Sequence, residues 1–303
     1  MPVVFVLIWS TGFIVARFGM PHAPPMKFLA WRYLFSIVCF LPWIWLAKVN
    51  WPKDALQWRH LAVTGVLMHA CYLGGVWAAV KMGMGSGLSS LIVGLQPVLT
   101  AFWLAGAGTL VSKRQWAGLV LGFLGLVMVV SRKFGSGGEA NWGNLALALG
   151  ALIGITAGTL YQKRFVAPCD VRTANVVQLG AALLATLPLA LLETESVHWN
   201  AQLAGAMAWS VLALTLGGSS LLYLLIQRGA AASVTSLMYL VPPATALLAW
   251  LLFDEPITAL AVAGTSVACG LLVCRASVGV AGCERERCDL AGVASVFGTA
   301  CRA

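Results

Sequence analysis

The sequence predicts an all-α integral membrane protein of ten transmembrane helices, arranged as two inverted five-helix repeats. Three observations carry that reading. The 303 residues are 60% hydrophobic and only 10% charged, with a mean hydropathy of +0.88, which is more apolar than a domain with a wetted surface allows. Apolar runs of span length, about 20 residues, recur along nearly the whole chain, and they do not alternate polar with apolar as barrel strands do. Finally, the chain matches itself at one offset. Gly12 pairs with Gly158 (158 − 12 = 146), and Gly83 with Gly229, Ser90 with Ser236, Leu91 with Leu237, Pro97 with Pro243 and Gly118 with Gly264 fall on the same offset. Five spans per copy is an odd number, so the second copy enters the membrane from the opposite side.

The first span, 2 to 17, is short and apolar from Pro2; Arg17 and the stretch PHAPP follow it where a cleavage site would stand, so it reads as a helix and not as a signal peptide. The second, 28 to 47, carries Arg32 about one turn inside. The third, 60 to 80, centres on His69. The fourth, 86 to 105, and the ninth, 232 to 253, are broken by Pro97 and by Pro242 and Pro243, which remove backbone donors and free carbonyls one turn upstream. Interrupted helices at matching positions of two halves mark a transporter's binding site, because irregular backbone survives at membrane depth only inside protein or beside a cavity. The fifth, 115 to 131, and the sixth, 144 to 162, carry Gly118, Gly122, Gly150, Gly154 and Gly158, the small-xxx-small spacing that lets helix backbones approach. The seventh, 173 to 192, carries Gln178; the eighth is 204 to 226 and the tenth 258 to 275. Residues 1–131 and 144–275 form the two repeats, and 276–303 a cytoplasmic tail expected to lack order.

The net charge of +9 does not point to nucleic acid, because the basic residues are scattered through short connectors. They report topology instead. With the N-terminus in the cytoplasm, alternate connectors place Lys48, Lys53, Arg59, Lys113, Arg114, Lys163, Arg164, Arg172, Arg228 and Arg275 inside, against Arg17, Lys27, Lys81, Arg132 and Lys133 outside. Both termini are therefore expected in the cytoplasm. The cysteines show no metal-ligand or disulfide spacing, no glycine-rich phrase has the context of a phosphate loop, and neither a cofactor nor a metal is expected.

Ten residues are candidate lining of a substrate cavity: Trp9, Thr11, Arg32, His69, Tyr72, Trp77, Gln96, Gln178, Tyr223 and Tyr239. Arg32 either snorkels to the headgroups or faces the cavity, where it binds a carboxylate or holds a gate. Its repeat mate Gln178 is either lining or interhelical glue. Gln96 caps a carbonyl freed by Pro97 or faces the substrate. His69 and Tyr72 share a face at helical spacing, with Trp77 following; His69 is also the one side chain within a span suited to carry a proton near neutral pH. Tyr223 is the repeat mate of Trp77, and Tyr239 lies one turn before Pro243. Trp9 and Thr11 lie deep in the first span, whereas Tyr161 and Gln162 suit the membrane interface. No Asp or Glu lies inside any span, so there is no carboxylate proton relay, and no nucleophile with its base and orienter can be assembled into an enzyme.

The phrases WSTGFIVARFG followed by PPMKFLAWR, then GLSSLIVGLQPVLTA, RQWAGLVLGFLGLVMV, ITAGTLYQKRF and TSLMYLVPPATALLAWLLFDEP resemble, in order and spacing, an EamA-type permease of the drug/metabolite transporter superfamily. The resemblance runs over about residues 5 to 275. It implies a bacterial inner-membrane protein that exports or exchanges small metabolites such as amino acids. One departure is Thr109, which stands where members similar to this chain carry a Glu matching Glu255. The expected function is a secondary transporter of a small polar solute working by alternating access, its other partners being membrane lipids and, in a homodimer, a second copy. A lipid or lipid-linked translocator is the alternative.

Overall fold

The computed structural model describes residues 2–106, residues 116, 120, 123, 124, 127, 128, 130, 131 and 133, residues 139–227 and residues 240–254. Most of the expected fifth span, the tenth span, the tail and Tyr239 lie outside the described residues. Among the described residues there is no strand. The helices are α1 (Pro2–Gly19), α2 (Pro25–Leu46), α3 (Ala55–Lys81), α4 (Ser86–Val93), α5 (Gln96–Gly106), α6 (Trp142–Phe165), α7 (Val171–Leu192), α8 (Ala201–Gln227) and α9 (Val241–Phe253). Six segments are long and apolar enough to cross a membrane: α2, α3, α4 with α5 as far as Trp103, α6, α7 and α8.

The helices begin where the sequence supplies caps. Asp54, Asn141, Asp170 and Asn200 each accept a backbone N–H of the first turn of α3, α6, α7 and α8, satisfying donors that the helix itself leaves open. Helix α2 starts at Pro25 and is capped from a distance, since the Glu193 carboxylate accepts the N–H groups of Met26 (2.9 Å) and Lys27 (2.8 Å). Its buried stripe is Phe28, Leu29, Arg32, Tyr33, Ser36, Phe40 and Ile44. Exposed Trp31, Leu34, Phe35, Val38, Leu41 and Trp45 cover the other side. Polar groups turned inward beneath an apolar exterior are the amphipathicity of a helix solvated by lipid.

Two helices change pitch. In α3, Val66–Cys71 form a π-helical segment, and in α8 Ser210–Ser219 do the same. On the 146 offset the first of these maps onto residues 212 to 217, inside the second. Side chains support the wider turn of α8, where the Thr215 hydroxyl donates to the Ser210 carbonyl at 2.9 Å.

The break in the fourth span falls where Pro97 predicts it. Gly94 and Leu95 donate to Ser90 and Ile92 at 2.8 and 3.1 Å; Pro97 has no N–H to offer Val93, and the helix restarts at Gln96. Pro242 and Pro243 differ from the sequence expectation of a mid-span break, since they stand in the first turn of α9, where a missing N–H leaves nothing unsatisfied. The two proline sites touch. A Cβ on Gly94 would lie 2.6 Å from the Pro242 ring, so only glycine admits the α9 proline there.

The helices pack as a bundle whose most extensive interface is α2 against α7. Helix α3 packs on α6 and α7, while α8 packs on α1 and α2. Helix α9 packs on α1 and α4, and α6 covers α4 and α5.

Candidate functional site

The inward stripe of α2, the π segment of α3 and the middle of α8 converge with α1 and α7 on one cavity. Among its lining are Trp9, Arg32, His69, Tyr72, Trp77, Gln162, Gln178 and Tyr223. Its free volume, ≈ 40 Å³, holds about three water molecules, so a metabolite enters only when the helices part.

Arg32 sits at its heart. The side chain is 3% exposed and does not reach a membrane surface; its Nε donates to Thr215 Oγ1 at 3.1 Å. The adjacent Tyr33 hydroxyl donates to the His69 carbonyl at 2.9 Å, using an acceptor on the π segment. His69 faces the Gln178 side chain, and Gln178 Nε2 points toward Gln162 Oε1 at 3.5 Å. Aromatic rings wall the rest. Trp9 lies parallel to Tyr72 (3°, centroids 6.4 Å apart), and Trp77 stacks on Phe28 at 4.4 Å.

Of the residues singled out in the sequence, Trp9, Arg32, His69, Tyr72, Trp77, Gln178 and Tyr223 meet here. Thr11 does not. Two residues beyond Trp9, it is rotated about 200° round the helix, where its hydroxyl donates to the Ile8 carbonyl (2.6 Å) and accepts from Trp209 Nε1 (2.9 Å). Gln96 is buried away from the lining; its Nε2 donates to Thr159 Oγ1 at 3.2 Å, joining α5 to α6, and it neither caps Val93 nor faces the cavity. Gln162, expected at the interface, is 3% exposed and lines the cavity. Thr215 was not singled out, although it is the repeat mate of His69 (215 − 69 = 146). Carrying the offset through His69 would have found it.

Contacts around the cavity recur in pairs related by that offset. Arg32 bonds Thr215, and their mates Gln178 and His69 face each other. Gly12 packs on Leu214 and Gly158 on Met68; Gly218 packs on Ile8 and Gly154 on Tyr72. Each member of a pair joins the first repeat to the second.

Both ends of the cavity are shut. At the end where α2 begins, Lys81 Nζ pairs with Glu195 (2.6 Å) and Lys27 Nζ donates to the Glu195 carbonyl (2.7 Å), while His22 holds Gln202 (3.2 Å) and Asn200 (3.1 Å). At the opposite end Gln57 clasps Ala167 through both its amide groups (2.7 and 3.1 Å), Gln227 donates to the Cys169 carbonyl at 2.8 Å, and His60 meets the Tyr161 hydroxyl at 2.8 Å. Asp170, at the head of α7, is bridged by Arg172 at 2.9 Å, and that guanidinium holds its carboxyl below the usual carboxylate range. No group of three or more metal-ligating side chains occurs among the described residues.

Comparison with known proteins places these features. The model of the EamA-like transporter family matches residues 2–131 and 141–274. An inner membrane transporter of Escherichia coli K12 called YedA, itself described as uncharacterized, is 25% identical over 245 residues, covering 80% of this chain and 78% of its own. The uncharacterized transporter YvbV of Bacillus subtilis 168 is 25% identical, with 86% and 85% covered. A probable amino-acid metabolite efflux pump of Salmonella typhimurium LT2 is 24% identical, with 86% and 88% covered. One solved crystal structure superposes with a TM-score of 0.66 at 18% identity, over 94% of this chain and 96% of the other, a likeness of fold alone.

Proposed function

The chain belongs to the EamA-like transporter family, a multi-pass membrane protein, and on that premise we propose that it is a secondary transporter exporting or exchanging small polar metabolites, amino acids or their relatives, by alternating access. The observation that carries the reading is the cavity enclosed between α1, α2, α3, α7 and α8 and shut at both ends by contacts between the two repeats. A site closed on both sides delivers a solute only if each closure opens in turn.

The offset-related contacts support an inverted repeat, with 1–131 and 144–275 as its halves. A two-fold axis in the membrane plane exchanges the halves, so it turns Arg32–Thr215 into Gln178–His69 and Gly12–Leu214 into Gly158–Met68. Rocking one half against the other then opens either end without rebuilding the centre. The energy comes from a solute or ion gradient, both termini lie in the cytoplasm, and the membrane is the bacterial inner membrane. Support for export comes from the efflux pump among the relatives.

The test is a metabolite profile of the medium around cells overproducing the protein, beside an expression-matched Arg32→Ala variant. The expected result is a small set of solutes raised outside only by the native protein. Native, variant and empty-vector profiles that coincide, together with no solute exchange in liposomes, would overturn the reading.

A further inference from the structure

Resting on that reading, we infer that the cavity recognises its solute through a carboxylate, and takes a monocarboxylate with a flat apolar body in preference to a zwitterionic amino acid. The first ground is charge. Arg32 is a permanent cation, buried at the centre of the bundle. Every acidic residue of the sequence, Asp54, Glu139, Asp170, Glu193, Glu195, Asp254, Glu255, Glu284, Glu286 and Asp289, lies outside the spans. The described ones among them cap helices, as Asp54, Asp170 and Glu193 do, pair at the surface, as Glu139 does with Lys133 and Glu195 with Lys81, or end α9, as Asp254 does. The guanidinium is therefore uncompensated by the protein, a state that a buried charge leaves by finding a partner.

Hydrogen bonding gives the second ground. Arg32 spends its Nε on Thr215, and its two terminal nitrogens meet no acceptor among the described residues, leaving a planar pair of donors matched to a carboxylate. Gln162 Nε2, in the same lining, is buried with no partner. Unspent donors thus exceed unspent acceptors, and the missing partner is acceptor-rich.

The third ground is what an ammonium would meet. It would lie close to Arg32, with no carboxylate at this depth and only ring faces for contact, so adding an α-amino group to the solute adds an unpaired charge. One cation balances one negative charge, which favours a carboxylate over a doubly charged phosphate. Trp9, Tyr72 and Trp77 give the body of the solute flat apolar surfaces.

The experiment compares four probes sharing one ring system on the purified full-length protein: 3-(indol-3-yl)propanoate, its amide, tryptophan and tryptamine. Binding is read from the shift in thermal unfolding, and exchange from the same protein in liposomes. The expected order is propanoate tightest, with the amide and tryptophan weaker by about tenfold or more, the weight of a charge-assisted bond, and tryptamine silent. In R32Q the preference of propanoate over its amide disappears, and the native comparison stands on its own if that variant fails to fold. Tryptophan or tryptamine binding as tightly as propanoate, binding by none of the four, or an unchanged preference in R32Q would overturn the inference. Exchange of amino acids without exchange of propanoate overturns it while leaving the transporter reading intact. Saturable propanoate binding with no exchange of any solute does the reverse.

Discussion

Helices α3 and α7 meet backbone to backbone at Gly65, and a single methyl group measures how firmly that seam is set. A Cβ on Gly65 would stand 2.6 Å from the Cα and 2.7 Å from the carbonyl carbon of Gln178. Ordinary carbon contacts need about 3.5 Å, so the Gly65→Ala variant must part the two helices by about 1 Å. No side chain can rotate to absorb the strain, since the obstacle is main chain. Overpacking of this kind costs about 1–3 kcal/mol. Gly180 provides the control within α7, because a Cβ there meets nothing within 4 Å, and Gly180→Ala gains up to about 1 kcal/mol of helix propensity. The two variants therefore separate by about 2 kcal/mol or more, or roughly 4–8 °C in apparent Tm for a chain of this size. Thermal unfolding in detergent reads the difference. Equal Tm values for the two variants would refute the claim that the helices touch through their backbones at this point.

Three further outcomes follow from the same structure. Thr215→Val leaves Arg32 Nε buried without its acceptor and is expected to lower stability by about 1–3 kcal/mol, whereas Thr215→Ser retains the bond and most of the stability; the pair is compared by thermal unfolding. Glu193→Ala removes the carboxylate that accepts two N–H groups of α2 and should cost about 1 kcal/mol, with Glu193→Gln losing less; chemical unfolding followed by tryptophan fluorescence checks both. Asp170→Asn keeps the helix cap but removes the charge facing Arg172. Because the Asp170 carboxyl is held below its usual range, its ionic stabilisation is present above the unfolded value and lost as pH falls through the folded one. The native protein and Asp170→Asn should thus differ by a constant amount from neutrality down to about pH 5 and converge below about pH 4, as a pH series of melting curves would show.

What could be read in the sequence was whatever hydropathy and one repeated offset encode. Span positions follow from the apolar runs, and the break after Val93 follows from Pro97 because a missing donor acts locally. Residues carried inward by charge or bulk, such as Arg32 and Trp77, were legible because lipid offers them no stable alternative. Local helical phase was not. Thr11 shares polarity with its neighbourhood but faces the other way, since two positions along α1 turn a side chain away from the cavity. Gln162 sits near a helix end, where an amide suits the interface equally well, and only the packing of α7 beside α6 draws it inside. The partner of Gln96 is Thr159 on another helix, a long-range pairing with no trace in either local phrase. The π segments also escaped notice, because an i to i+5 ladder carries no compositional mark and is stabilised by contacts such as that of the Thr215 hydroxyl with Ser210.

The π segment Val66–Cys71 bears on how relatives are to be aligned. An α-helix advances about 100° per residue, and a π turn accommodates one residue more than an α turn. A relative lacking one residue within Val66–Cys71 keeps a continuous third helix but turns everything after the deletion by about that angle. The rings corresponding to Tyr72 and Trp77 then leave the cavity for another face while their identities stay the same. A one-residue gap inside this helix is thus a change of binding site, and identity at the lining positions counts as kinship of specificity only where the gap is absent.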